Sequence, residues 1–220
     1  MRILDVLRFI ASFGTARALL FMAPIAIANL LPIEIYGKFE LAQSLASIGA
    51  LVIGFGLSGT VPLIRLREEV EGRWDSLLLL LVALAGGCLL VSLVIAAANA
   101  TLSTMAVLVP LAACVLMLQG FWAITLKSEG RSTSAVFLEA GFWTISVTGA
   151  GLIVLSGNRL PEGTISAALL AYAAVLIVVS VVQFNRSRMG VIALSDLRRN
   201  LGLGLPLMFT SVLTVIISSS

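Results

Sequence analysis

Two charged side chains stand inside long apolar runs, and their types limit the chemistry open to them. Arg17 lies in FIASFGTARALLFMAPIAIANLLP (residues 9–32) and Glu139 in AVFLEAGFWTISVTGAGLIVL (135–155); Glu40 sits at the edge of another run. A guanidinium is a planar fork of donors that binds a carboxylate or a phosphate through two parallel hydrogen bonds. A charge at the centre of a bilayer costs at least about 2.5–3.5 kcal/mol on insertion scales, so it faces a partner or a watery cavity. Three readings of Arg17 follow. It pairs with Glu139 and pins two helices together. It snorkels to the interface on its aliphatic stem. Or it meets an anion, with Glu139 holding it when the anion is absent. Other chemistry is thin. The sequence contains no histidine, which removes the commonest general base and metal ligand. Cys88 and Cys114 both lie in apolar runs and make neither a disulfide framework nor a metal site. An enzyme here would have to run on carboxylates. Only the 65–75 loop, RLREEVEGRWD, clusters them, and it reads as a solvated loop. No cofactor is expected.

The elements that must carry Arg17 and Glu139 are membrane helices. The chain is 60% hydrophobic and 11% charged, whereas soluble domains average roughly 45–50% apolar and about 25% charged. Mean hydropathy is +1.11. The expected class is an all-α integral membrane protein. About 20 apolar residues cross the hydrocarbon as a helix, and seven segments qualify: 10–31, 41–64, 76–98, 103–126, 134–156, 164–184 and 201–220. Turn residues mark Leu31-Pro32-Ile33-Glu34 and 157–163, and the 185–200 segment suits a short amphipathic helix in the interface. Arg2, Arg8 and the small residues at 26–28 resemble a signal peptide, but Arg17 interrupts the apolar core and the run is too long for one. The first run is therefore expected to stay as a helix. Eleven of the fourteen Lys and Arg fall on one side of this arrangement, and only Lys38 and Arg159 on the other. The positive-inside rule then places the N-terminus in the cytoplasm. Cations sorted by side of membrane point to lipid and not to nucleic acid as the partner. The last run has no polar flank, so the chain is expected to be the first part of a longer protein.

Counting 1.5 Å per residue puts Arg17 roughly 10 Å, Glu139 roughly 8 Å, Gln119 roughly 12 Å and Ser58 roughly 10 Å above the cytoplasmic interface. Four helices are thus expected to share one polar layer. Phe142 and Trp143 lie one turn beyond Glu139; they suit packing, or contact with a sugar ring or isoprenoid tail. The stretch GFGLSGT (54–60) lacks the ending of a phosphate-binding P-loop and lies inside a span. Gly54, Gly56 and Gly59, with Pro62 after them, instead predict close packing and a bent helix. Gly14 and Pro24 in the first run, and Gly141, Gly149 and Gly151 in the fifth, predict similar freedom.

With these residues in view, the chain resembles a known family. YGKFELAQSLASIGALVIGFGLSGTVPLI (36–64), LKSEGRSTSAVFLEAGFWTISVTGAGLIVL (126–155) and LRRNLGLGLPLMFTSVLTVIISSS (197–220) look like the second helix, the helix 4–5 junction and the seventh helix of polysaccharide-biosynthesis flippases. These are Wzx-type members of the multidrug/oligosaccharidyl-lipid/polysaccharide exporter superfamily. The resemblance implies half of a twelve- to fourteen-helix MATE-like exporter: a six-helix lobe over 1–200 and the opening helix of a second lobe over 201–220. It implies a bacterial inner-membrane protein that turns a polyprenyl-diphosphate-linked oligosaccharide to the outer leaflet. Arg17, Glu139, Gln119, Ser58 and Trp143 would line its path, with a C-terminal lobe or a second subunit as partner. A cation-coupled drug exporter of the same fold and a membrane scaffold without transport are the alternatives. A drug exporter would want more acids within the spans. A scaffold would show a dry Arg17–Glu139 pair and no cavity.

The charge asymmetry is testable in intact cells. Single cysteines in the 65–75 loop should be shielded from an impermeant thiol reagent, while those in 157–163 should react. Labelling of the 65–75 loop from outside would reverse the orientation.

Overall fold

A computed structural model describes residues 3–66, 71–99, 105–157, 163–186 and 194–218. Residues 67–70 of the charged loop, the 98–102 connection from 100 on, Arg159 with Pro161, and 187–193 of the expected interfacial segment lie outside them. The described residues form nine helices and no strand. In order they are α1 (Ile3–Leu30), α2 (Ile33–Ile53), α3 (Leu57–Leu66), α4 (Glu71–Asn99) and α5 (Met105–Ser128), then α6 (Ser132–Glu139), α7 (Gly141–Leu155), α8 (Thr164–Arg186) and α9 (Leu194–Ser218). A helix closes its backbone hydrogen bonds within itself, which is why apolar runs of this length fold as helices in hydrocarbon. Four are long and apolar enough to cross a membrane: Ile10–Leu30, Trp74–Ala98, Met105–Ser128 and Thr164–Phe184. The bent pair α6–α7 makes a fifth if it counts as one span.

α5 is the axis. It is buried along most of its length, from Val107 to Thr125, and packs against α2, α3, α4, α6, α7 and α8. α1 lies outside, against α6 and α7, and α9 closes the opposite flank against α3, α4 and α2. Side-chain contacts show the helices alternating in direction. Trp74 stacks on Phe121 at 5.3 Å, Trp122 Nε1 donates to Ser180 Oγ at 2.8 Å, and Asn200 Nδ2 donates to Ser76 Oγ at 3.0 Å. These gather the starts of α4 and α9 and the ends of α5 and α8 at one end, near Lys127, Arg198 and Arg199. At the other end Ser92 Oγ donates to the Val107 carbonyl at 2.8 Å, and Lys38, Met105 and Ser166 line one small cleft.

Three places in the chain bear on the sequence expectation. Residues 32–40 are not an extended loop. Pro32 caps α2 directly, and its carbonyl accepts from the Ile35 and Tyr36 amides; proline before a first turn costs no hydrogen bond that a helix would otherwise make. Of the 185–200 segment, in which a short interfacial helix was expected, the described part from Leu194 on belongs to α9. The second and fifth runs are each divided in two. By contrast, α1 continues through Gly14 and Pro24, and α3 through Pro62, as single helices.

The division of the second run follows from its glycines. Phe55 and Gly56 adopt positive φ, 47° and 63°, a region glycine enters at no steric cost and phenylalanine does not. Gly54 turns its amide back to the Ala50 carbonyl at 3.0 Å. The break then seats on the backbone of α9. A Cβ at Gly56 would stand 2.6 Å from the Gly204 carbonyl and the Met208 amide, and one at Gly204 would stand 2.2 Å from the Phe55 carbonyl. Gly59 rests against Leu207, where a Cβ would come to 3.2 Å.

Gly56→Val and Gly204→Val should therefore each lose about 1–3 kcal/mol through strain and overpacking. Gly14→Ala should be neutral or stabilising by up to about 1 kcal/mol, because nothing lies within 4 Å of its Cβ position. Unfolding in mixed micelles measures all three. Equal stability of Gly56→Val and wild type would mean that the α2–α3 break does not seat on α9.

Candidate functional site

The Arg17–Glu139 ion pair, one of the three readings of Arg17, does not form among the described residues. Glu139 is the last residue of α6, and its Oε1 accepts from Lys127 Nζ near the end of α5. The cause is local. α5 and α6 are joined by a turn of a few residues, in which Gly130 takes φ 75° and the Arg131 amide bonds the Leu126 carbonyl at 2.8 Å. That turn returns the chain beside its own last helical residues, so the acid meets the base twelve positions back. Glu139 is correspondingly nearer the basic end of the bundle than a straight helix from Ser134 implies.

Arg17 stands apart. α1 buries a stripe of Ala16, Ala23, Ile27 and Leu31, and Arg17 projects from the exposed arc beside it. Its guanidinium carbon lies 5.4 Å from the centroid of the Phe13 ring, a cation–π contact worth about 0.5–1 kcal/mol where exposed. Among the described residues it has no acidic partner.

Gln119 has a different occupation from the one expected. α6 and α7 meet at a 41° bend around Ala140. Gln119, 5% exposed on α5, reaches into that bend. Its Nε2 donates to the Glu139 carbonyl at 2.7 Å and its Oε1 accepts from the Phe142 amide at 2.9 Å. One carboxamide thus satisfies a backbone acceptor and a backbone donor on either side of the bend, where a bent helix in hydrocarbon needs partners. Beneath the bend α8 approaches closely, since a Cβ on Gly141 would fall 2.1 Å from the Tyr172 hydroxyl. Trp143 is half-buried and meets the Phe39 and Phe142 rings edge-on at 6.3 and 5.6 Å. Phe142 also stacks on Phe39 at 6.1 Å. Trp143 is therefore part of the aromatic contact between α7 and α2.

Ser58 lies elsewhere again. It lines a half-open pocket of about 280 Å³ between α2, α3, α4 and α5, together with Ser47, Gly54, Gly56, Met117 and Gly120. Ligand pockets usually measure about 300–1,000 Å³, so this space suits a small molecule or water better than a sugar chain. The single polar layer is thus three places: Arg17 on the outer arc of α1, Ser58 in the cavity, and the α6–α7 bend, where Gln119 bonds the Glu139 carbonyl and the Glu139 carboxylate meets Lys127. Two residues were missed. Lys127 was visible as the nearest base along the chain to Glu139. Asp75, 3% exposed with its Oδ1 receiving no hydrogen bond, was taken for part of a solvated loop.

Gln119→Leu should cost about 1–3 kcal/mol for each backbone group it strands. Lys127→Ala should cost less than about 1 kcal/mol, as partly exposed ion pairs do. Chemical unfolding of the two variants in the same detergent gives the comparison; a larger loss in Lys127→Ala would mean that the ion pair, and not the carboxamide, holds the bend. Set beside known proteins, the sequence matches no family model, no curated relative and no solved structure.

Proposed function

We propose that the chain is a membrane-transport lobe that moves a polyprenyl-diphosphate-linked oligosaccharide across a bacterial inner membrane, with its N-terminus in the cytoplasm. In this reading α2–α3 and α6–α7 are each one broken span. With α1, α4, α5, α8 and α9 they give seven spans, of which α9 opens a second lobe. The observation that carries the reading is Arg17. A guanidinium within a candidate span, exposed and without an acid, retains its whole bidentate capacity for an anion. Phe13 fixes one face of the fork and leaves its edges clear. A diphosphate offers several oxygens to those edges.

The pocket lined by Ser58 is too small for a glycan, and in this reading the glycan travels outside the bundle, along the α1 surface and between this lobe and its complement. That complement is a C-terminal lobe or a second subunit. The two breaks supply the bending that alternating access requires. A scaffold without transport is disfavoured because its expected signature, a dry Arg17–Glu139 pair with no cavity, is absent from the described residues. A cation-coupled drug exporter of the same fold would want acids within the spans; the buried Asp75 in the candidate span of α4 speaks for it, and Arg17 speaks for the anionic substrate.

Arg17→Ala should lower glycan export on the order of tenfold or more while the protein still inserts, the loss expected for one charge-assisted hydrogen-bonded group. Arg17→Lys should recover part of it, keeping the charge and losing the fork. Adding Glu139→Gln to Arg17→Ala should restore nothing, because Glu139 has Lys127. Full export by Arg17→Ala, or rescue by the double variant, would remove Arg17 from the substrate path.

A further inference from the structure

α5 is covered by its neighbours almost throughout, and the exception is local. From Leu111 to Phe121 every residue is buried except Leu116 and Gly120. These two lie four positions apart, on one face of the helix. Both line the half-open pocket of about 280 Å³ between α2, α3, α4 and α5. The pocket lies beside the α2–α3 break, whose backbone turns away to seat on α9. Its other walls include Ala50 and Leu51 of α2 and Leu81 of α4. Among the described residues no charged side chain lines it. The Ser47 hydroxyl is already engaged, donating to the Gln43 carbonyl at 2.9 Å and accepting from Gln43 Nε2 at 3.3 Å. Ser58 adds one half-buried hydroxyl. Gly120 widens the space, since a Cβ there would meet nothing within 4 Å. The level in the membrane follows from α5, a candidate span from Met105 to Ser128. At 1.5 Å per residue, Gly120 stands roughly 10 Å and Leu116 roughly 16 Å from Lys127 along the axis. Both therefore fall well inside a hydrocarbon core of about 30 Å.

We propose that this pocket seats the hydrocarbon chain of one bilayer lipid, which enters from the side of the bundle and covers Leu116 and Gly120. At this level the solvent of the bundle is acyl chain, not water or headgroup. An apolar void gains little from water: one of about 150 Å³ lined by aliphatic and aromatic side chains stays dry and takes an apolar ligand. The larger pocket here holds several carbons of a chain, whose dispersion contacts satisfy lining atoms that the helices leave uncovered. A phosphate headgroup finds no cation on these walls. The seated chain wedges between the α2–α3 break and α5 and supports the break on the side away from α9. The site rests on the membrane span of α5 and does not depend on Arg17 or on the transport reading.

The test is photo-crosslinking of the purified full chain in nanodiscs of a phosphatidylcholine that carries a diazirine at mid-chain, with the labelled residues located by mass spectrometry. Ile48 of α2 and Leu79 of α4 are exposed near the same level and serve as the internal reference. Wild type should carry label on α5 within 116–120 as well as on the reference residues. Gly120→Leu fills the pocket from α5 and should lose most of the α5 label while the reference label stays. Where Gly120→Leu does not fold, Gly120→Ala, which places one methyl in open space, should lose part of it. Label confined to the exposed helices in wild type would overturn the proposal and leave the pocket to water or a small solute. So would α5 label undiminished in Gly120→Leu, or undiminished in Gly120→Ala where that variant is the one that folds.

Discussion

In hydrocarbon no water is at hand to repair a broken helix, so each interruption must bring its own hydrogen-bond partners. The bundle is arranged around two such interruptions, and they are supported differently. The α6–α7 bend is held by a side chain: Gln119 on α5 gives both ends of its carboxamide to backbone groups on either side. The α2–α3 break is held by close approach, with Gly56 and Gly204 letting two backbones come nearer than any side chain allows. Both depend on neighbours far away in sequence. This is why α5 is buried along most of its length and why α9 closes the bundle: each supplies what a broken helix lacks.

This division also sorts the polar residues. Gln119, the most deeply buried of the expected site residues, is committed to the backbone. Glu139 is committed to Lys127. Ser58 borders a cavity of about 280 Å³. Arg17 alone of the expected group carries a charge with no partner of opposite sign among the described residues, and it does so on the surface of α1. A transport path argued from Arg17 therefore runs over the outside of this lobe. Asp75 is chemically unlike it: acidic and buried between helices.

The all-helical class was legible because apolar runs of bilayer length have few other solutions. The glycine-rich break at 54–56 was legible as a bend, since Gly56 and Pro62 are residues with stated backbone preferences. The α6–α7 bend was legible only as freedom at Gly141, without its partner. Ala140 and Gly141 carry no proline signal, and the residue that stabilises the bend lies twenty positions earlier on another helix. The same gap misplaced Glu139. Its depth was reckoned along a straight helix, whereas the tight 128–131 turn folds it back on Lys127. Asp75 escaped notice for the reverse reason. A charged loop reads as solvated from composition alone, and only the packing of α3, α5, α8 and α9 shows that its last carboxylate is enclosed.

The central claim is that the protein's own groups leave Arg17 uncompensated so that it can meet the diphosphate of a lipid-linked sugar. Solid-state NMR tests it most directly, by measuring dipolar coupling between the Arg17 guanidinium nitrogens and phosphorus in bilayers containing a polyprenyl-diphosphate glycan. The account predicts direct coupling to the diphosphate phosphorus, absent when Arg17 is replaced. Coupling only to ordinary phospholipid headgroups, or contact with the Glu139 carboxylate instead, would contradict it.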